Sequence, residues 1–214
     1  TSFQENLYKE EKKTDKKLML ASTVYGFEDQ LSEVIEDLQQ NKFKVSNSHF
    51  GSIRVNPQLS NLDNCIQAAY DTEWFVGLVR PYYGTGNIKE KNITFLEIQT
   101  VISQKKPRWF YIHRDVTFAE KIIDYIVVKK KISEKNGKKR SFGKNQFTSN
   151  HYIDYECIEL YNYVIKDNEK NFELRNGNWA QEFYSFTEAQ IYIKTQFSDK
   201  EFINKILKTV KNGR

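Results

Sequence analysis

Glu97 is the side chain in this sequence best placed to do chemistry. It follows an apolar run, Trp74-Phe-Val-Gly-Leu-Val79, and then the polar stretch Arg80-Pro-Tyr-Tyr-Gly-Thr-Gly86, in the first turn of a helix expected to open at Thr94. A carboxylate just past a strand end can hydrogen-bond ribose hydroxyls, or stabilise an oxocarbenium-like centre while a glycosidic bond breaks. Arg80 can meet a phosphate bidentately or pair with a carboxylate. Tyr82 and Tyr83 offer rings that stack on a base, or that pack the loop onto the next helix. Gly84 and Gly86 lack a Cβ, so a ligand can approach their backbone closely. Other strand ends add Ser22, Thr23, Tyr25 and Gly26 after the first strand, His49 after the second and His113 after the fourth. Two histidines with no third ligand at suitable spacing argue against zinc, and no metal is expected.

Each of these residues also has a purely structural reading. Thr94-Phe-Leu-Glu97 matches a capping box, with threonine at the N-cap and glutamate three residues on, which alone would account for the glutamate. His49 and His113 read first as ordinary surface or hydrogen-bonded histidines and only second as catalytic ones. Asp115 lies near a strand end but is a good N-cap, as is Thr117. Trp74, Phe75 and Trp109 fall in apolar runs and read as core, and Cys65 reads as packing within a helix.

These candidates need a frame that gathers strand ends. Lys17–Ser22 is a short apolar run suited to a buried parallel strand. Phe27, Leu31, Val34, Ile35 and Leu38 recur at helical spacing over about 26–40. Phe43–Ser48 predicts a second strand. Ser60 to Tyr70 predicts a helix whose S-x-x-D start places Ser60 at the N-cap with Asp63 three residues on. Strands at about 74–80 and 107–112 flank a helix at about 95–105, and Phe118, Ala119, Ile122, Ile123, Ile126 and Val127 mark the next helix.

This alternation predicts an α/β fold built on an open, mainly parallel sheet in the order 2-1-3-4-5, flanked by helices. Ligands then bind outside the carboxyl ends of the strands. A fifth strand is expected near Tyr155–Ile165, running into a helix. A turn follows at Asn176-Gly-Asn178, then helices over Thr187–Phe197 and Asp199–Val210. The expected organisation is a flexible arm (1–16), an α/β domain (17–128), a basic flexible loop (129–150) and a small, mostly helical C-terminal portion packed on the domain (151–214).

With 39% hydrophobic and 14% aromatic residues in 214, the chain can build a sizeable core. No apolar run approaches the roughly 18 residues of a membrane helix, and the first residues carry no apolar signal core. Cys65 and Cys157 match no metal or redox spacing and fit free thiols in a reducing cytoplasm. The net charge of +5 is concentrated at Lys129-Lys-Lys131, Lys135, Lys138-Lys-Arg140 and Lys144. A solvated helix end and loop is the expectation there. Nucleic acid is the alternative, but aromatic residues are nearly absent before Phe142, which gives bases little to stack on.

The run Leu20-Ala-Ser-Thr-Val-Tyr-Gly-Phe-Glu-Asp29, with Ser48-His-Phe-Gly51, Asn64-Cys65, Phe75 to Gly86, Ile93-Thr-Phe-Leu-Glu97 and Lys106-Pro-Arg-Trp109, resembles a bacterial family known only as domain of unknown function 4062. The likeness runs from about Leu18 to Glu120, with a weaker echo in Arg175–Trp179 and Thr195–Phe197. That family is distantly similar to TIR domains and nucleoside 2-deoxyribosyltransferases, which share a flavodoxin-like sheet and attack N-glycosidic bonds of nucleosides or NAD. The resemblance implies that Glu97 is the catalytic glutamate and that NAD or a related nucleotide is substrate rather than cofactor. It further implies self-association or a partner effector protein, in the setting of anti-phage signalling. The sequence departs from both relatives: it has no tryptophan–cysteine pair and no Asp-Ser/Gly-Gly-Thr loop before Glu97. A non-catalytic nucleotide sensor or adaptor, and a nucleic-acid-associated module, are the competing expectations.

Overall fold

The computed structural model describes residues 16–22, 28–83, 91–123, 153–166 and 179–212. Thr23, Tyr25, Gly26, Gly84, Gly86, the N-terminal arm except Lys16, the Asn176–Asn178 turn and the basic loop lie outside these residues. Five strands, β1 (Lys16–Ser22), β2 (Phe43–Ser46), β3 (Trp74–Val79), β4 (Arg108–His113) and β5 (Trp179–Phe183), form one sheet in the order β2-β1-β3-β4-β5. Every neighbouring pair is parallel. The order and direction are those expected from the strand–helix alternation.

Among the described residues seven helices flank the sheet: α1 (Glu28–Gln40), α2 (Asn61–Asp71), α3 (Ile93–Ser103), α4 (114–123), α5 (Tyr155–Lys166), α6 (Phe186–Ser198) and α7 (Lys200–Asn212). Alternation along the strands divides the core into two layers. Leu18 and Leu20, Trp74, Val76 and Leu78, and Trp109 and Tyr111 face α1, α6 and α7. Met19 and Ala21, Phe75 and Val79, and Phe110 and Ile112 face α2, α3, α4 and α5. A strand buried on both faces needs apolar residues at every position; all six residues of β3 are buried. Its one glycine is dictated by packing. A Cβ on Gly77 would lie 2.9 Å from Cδ1 of Phe110 and 3.1 Å from Cε1 of Phe75.

The fifth strand is not at Tyr155–Ile165. That segment is entirely helical, and Cys157, Ile158, Leu160 and Val164 bury one stripe of it. The spacing is helical; the β-favouring Tyr, Val and Ile content misleads. The strand is Trp179–Phe183, where only Phe183 is buried. It is an edge strand, and its two polar residues, Gln181 and Glu182, fall on opposite faces, so no apolar run or alternation marks it. The two C-terminal helices fall where expected.

Helix starts show both agreement and correction. Ser60 caps α2 by accepting the Asp63 N–H at 3.0 Å, and its hydroxyl donates to the Asp63 carboxylate at 2.6 Å. Neither Asp115 nor Thr117 caps α4, which is already helical at residue 114. Nδ1 of His113 accepts the Asp115 N–H at 3.2 Å instead.

Candidate functional site

The carboxyl ends of β1, β3 and β4 come level with one another. Ser22 pairs in register with Leu78, and Val79 with Ile112, so Arg80 and His113 leave the sheet side by side. By alternation all three side chains belong to the face covered by α1. Ser22 and Arg80 are buried. Burial lowers the Arg80 pKa to about 10, opposed by the nearby Tyr82 and then by Glu28 at the start of α1. Arg80 is thus a desolvated cation held at the mouth of the sheet, with the Glu28 carboxylate at the start of α1 contributing to its field.

His113 is brought to this edge but is engaged. Its Nε2 lies 3.0 Å from the Tyr184 carbonyl, which can only accept, while Nδ1 takes the Asp115 N–H. These two bonds fix the tautomer with the proton on Nε2. Its ring also packs edge-on against Phe183, with centroids 5.3 Å apart. His113 therefore ties β4 to the end of β5. His49 is exposed, with its backbone N–H bound to Asn47 Oδ1 at 2.9 Å and its ring edge-on to Phe50.

Tyr83 is 3% exposed, and its polar groups are spent on the chain itself. Its N–H donates to Asp154 Oδ2 at 2.7 Å. Its hydroxyl accepts the Asn92 N–H at 3.2 Å, and its carbonyl accepts from the Asn92 side-chain amide. Burial pushes its phenol up to about 12. Tyr82 is half exposed and so is the ring of the pair open to a ligand.

Glu97 is the residue whose surroundings differ most from expectation. Asn92, not Thr94, is the N-cap of α3: its Oδ1 accepts the Phe95 N–H at 2.7 Å. The helix begins two residues before the position the capping-box reading requires, and Glu97 falls at its fifth residue, beyond reach of the cap. The carboxyl is instead turned into the protein. Glu97 is 1% exposed, and its Oε1 has no hydrogen-bond partner among the described residues. Burial raises its pKa to about 8. Its charge contributes, after burial, to the raised pKa of Cys65, about 11, which places the carboxyl against α2. Glu97 and Cys65 are each the fifth residue of their helices. Both therefore sit just before the middle of their eleven-residue helices, on the face of the sheet opposite Arg80.

Three residues that build this edge were not singled out from the sequence. Buried Asn47 ties the end of β1 to the loop after β2: its amide donates to the Leu20 carbonyl at 2.8 Å, and its Oδ1 accepts from His49 and Phe50. Asp154 anchors the exit of β3 twice, through Tyr83 N–H and through its own N–H to the Pro81 carbonyl at 2.8 Å. Asn92 both caps α3 and holds Tyr83. Asparagine in a turn was a readable signal for two of the three. Asp154 lies more than 70 residues from its partner, and no local pattern reports such a contact. Among the described residues no three His, Cys, Asp or Glu side chains group as a metal site. No described helix is long and apolar enough to cross a membrane.

Compared with known proteins, residues 17–198 match the model of the family described as "Domain of unknown function (DUF4062)". No curated protein and no solved structure matches the chain.

Proposed function

Because this chain belongs to the DUF4062 family, whose description names no activity, we propose its function from the site itself: cleavage or exchange of the N-glycosidic bond of NAD or a related nucleotide, with Glu97 at the reacting ribose. One observation carries the reading. Glu97 is a fully buried carboxyl with an oxygen that finds no donor among the described residues, and it caps no helix. Leaving such a group unpaired is costly, and perturbed carboxyls of this kind concentrate at functional sites. A ribose hydroxyl would supply the missing donor.

The raised pKa has a consequence for the chemistry. At neutral pH the carboxyl is mostly protonated, so it meets substrate as an acid. A cationic nicotinamide ring or an oxocarbenium-like centre beside it favours the ionised form and draws its pKa down. Glu97 loses its proton to solvent as the cationic ring enters, so a carboxylate is in place when positive charge develops at C1′. The C1′–N bond breaks with its electron pair going to the base. Water or another hydroxyl adds to C1′, and the added nucleophile's proton leaves to solvent. Glu97 and Arg80 lie on opposite faces of the sheet, so the nucleotide crosses its carboxyl edge: Arg80 binds phosphate, Ser22 lines the same side, and Tyr82 stacks on the base. No metal is required. The resemblance to TIR domains supports self-association and an anti-phage signalling role for the same site.

A second reading has its own observation. With 1% exposure, Glu97 is closed to solvent, which suits a non-catalytic sensor or an adaptor for a partner protein as well as an enzyme. Release of nicotinamide from NAD, and of free base from deoxynucleosides, separates the two when followed at high protein concentration. The enzyme reading expects release, and a fall on the order of a hundredfold for Glu97→Gln, because the variant cannot supply negative charge to the transition state. No release by the wild type, or equal release by Glu97→Gln, leaves the sensor or adaptor reading standing.

A further inference from the structure

We propose a second ligand site, for a small phosphorylated and hydroxyl-bearing molecule, in the cavity under the free edge of the sheet between β2 and α2. The cavity measures about 130 Å³ and is lined by Lys17, Lys44 and Arg54 on one side and by Gln67 and Asp71 on the other. This is far above the roughly 10–15 Å³ that a single water needs. It has room for a phosphate group and part of what the phosphate is attached to.

The charge in this cavity is unbalanced and unspent. Three cations face one carboxylate, and among the described residues none of the three makes an ion pair. Asp71 is held in place by the Gln67 amide, which donates to its Oδ1 at 3.0 Å. The two sides therefore differ in chemistry. Lys17, Lys44 and Arg54 suit an oxyanion, with the Arg54 guanidinium offering a forked donor. Asp71 and Gln67 suit hydroxyls, since a carboxylate accepts and an amide can do both.

The local sequence builds this on purpose-made geometry. Phe43 and Val45 point into the α1 layer, which leaves Lys44 and Ser46 on the other face. Lys17 alternates with Met19 on that same face of β1. Cys65 and Ala69 turn α2 toward the core, so Gln67 and Asp71 fall on its outer side. A lone lysine on an edge strand is ordinary protection against edge-to-edge pairing. That accounts for Lys44 but not for Lys17, from the adjacent interior strand, or for Arg54, from the following loop, lining the same cavity. The site is also separate from the one above. It runs toward the start of β1 and β3, at Lys17 and Thr72, whereas Ser22 and Arg80 close their far ends.

The test is calorimetric titration of the whole chain with ribose 5-phosphate, ribose and inorganic phosphate at low ionic strength, where surface electrostatics are least screened. Ribose 5-phosphate is expected to bind, phosphate more weakly and ribose not measurably. Lys44→Ala and Arg54→Ala should each weaken ribose 5-phosphate by about tenfold, the scale of one lost charge-assisted contact. Asp71→Ala should weaken ribose 5-phosphate but not phosphate. All three residues are exposed, and an unchanged melting transition verifies that each variant is folded. No binding of ribose 5-phosphate at millimolar concentration overturns the proposal. So does binding that survives both cation variants but is lost in Arg80→Ala, which assigns it to the strand-end site. Displacement of ribose 5-phosphate by a short oligonucleotide at far lower concentration overturns it too, in favour of a nucleic-acid surface. Loss of nicotinamide release in Glu97→Gln leaves this binding untouched, so the two proposals fail separately.

Discussion

Asn92 accepts the Phe95 N–H at 2.7 Å while its own N–H donates to the Tyr83 hydroxyl at 3.2 Å. One asparagine thus starts α3 and fastens the chain leaving β3 to it. The same contact sets where Glu97 falls. With the helix beginning at Ile93, Glu97 is past the first turn and its carboxyl enters the interior.

Asn92→Ala should therefore destabilise the protein by about 1–3 kcal/mol, a lost cap plus a buried donor left unmade. Thr94→Ala should cost distinctly less, because Thr94 caps nothing. Urea unfolding of the two variants measures the difference. Equal losses would restore Thr94 as the cap.

The frame was readable in the sequence and the site was readable only in outline. Continuous burial of β3 and the 3.6-residue stripe of Leu31, Val34 and Leu38 are local patterns that tertiary structure has no reason to override. Strand ends follow from strands, so Ser22, Arg80 and His113 were placed at the correct edge. What each side chain does there depends on partners distant in sequence. His113 bonds to Tyr184, 71 residues away, and Tyr83 to Asp154, also 71 away. The capping box failed for a narrower reason. Asn92 and Thr94 are both good N-caps two residues apart, and the choice between them is settled by Tyr83, not by the helix.

His113 gives a prediction of its own. Since both ring nitrogens are bonded within the protein, His113→Ala should cost about 1–2 kcal/mol through the lost cap and the lost tie to Tyr184. His113→Asn should recover part of it, because an asparagine oxygen can accept the same Asp115 N–H. Nucleotide turnover, normalised to folded protein, should be little changed in either variant. A large loss of turnover in fully folded His113→Asn would make the histidine a participant in chemistry.

Lys106 is a buried ammonium that closes the end of α2. Its Nζ donates to the Ala69 carbonyl at 3.1 Å and to the Tyr70 carbonyl. The last carbonyls of a helix carry the negative end of its dipole and want a cation or donor. Lys106→Met keeps the apolar stem and removes the charge, and should cost about 1–3 kcal/mol. Thermal or urea unfolding would show it, and an unchanged midpoint would mean that water serves these carbonyls equally well.

Glu97 links stability to pH in a direction opposite to the usual carboxylate. Its pKa is raised from 4.5 to about 8 in the folded protein, so between these values the folded state holds a proton that the unfolded state has released. Stability therefore falls as pH rises from about 4.5 toward 8, and is steady outside that window as far as this residue is concerned. Glu97→Gln removes the titration without removing the volume. The stability of the variant relative to wild type should increase between pH 5 and pH 8.5, with Glu97→Gln the more stable at the upper end. Urea unfolding of both proteins at pH 5, 7 and 8.5 measures it, and taking the difference cancels every other titrating group to first order. A bound nucleotide should flatten the difference, because a ligand that pairs with the carboxylate lowers its pKa in the folded state. A difference that does not vary with pH in the free protein would mean that Glu97 ionises normally, and the buried, unpaired carboxyl on which the enzymatic reading rests would be gone.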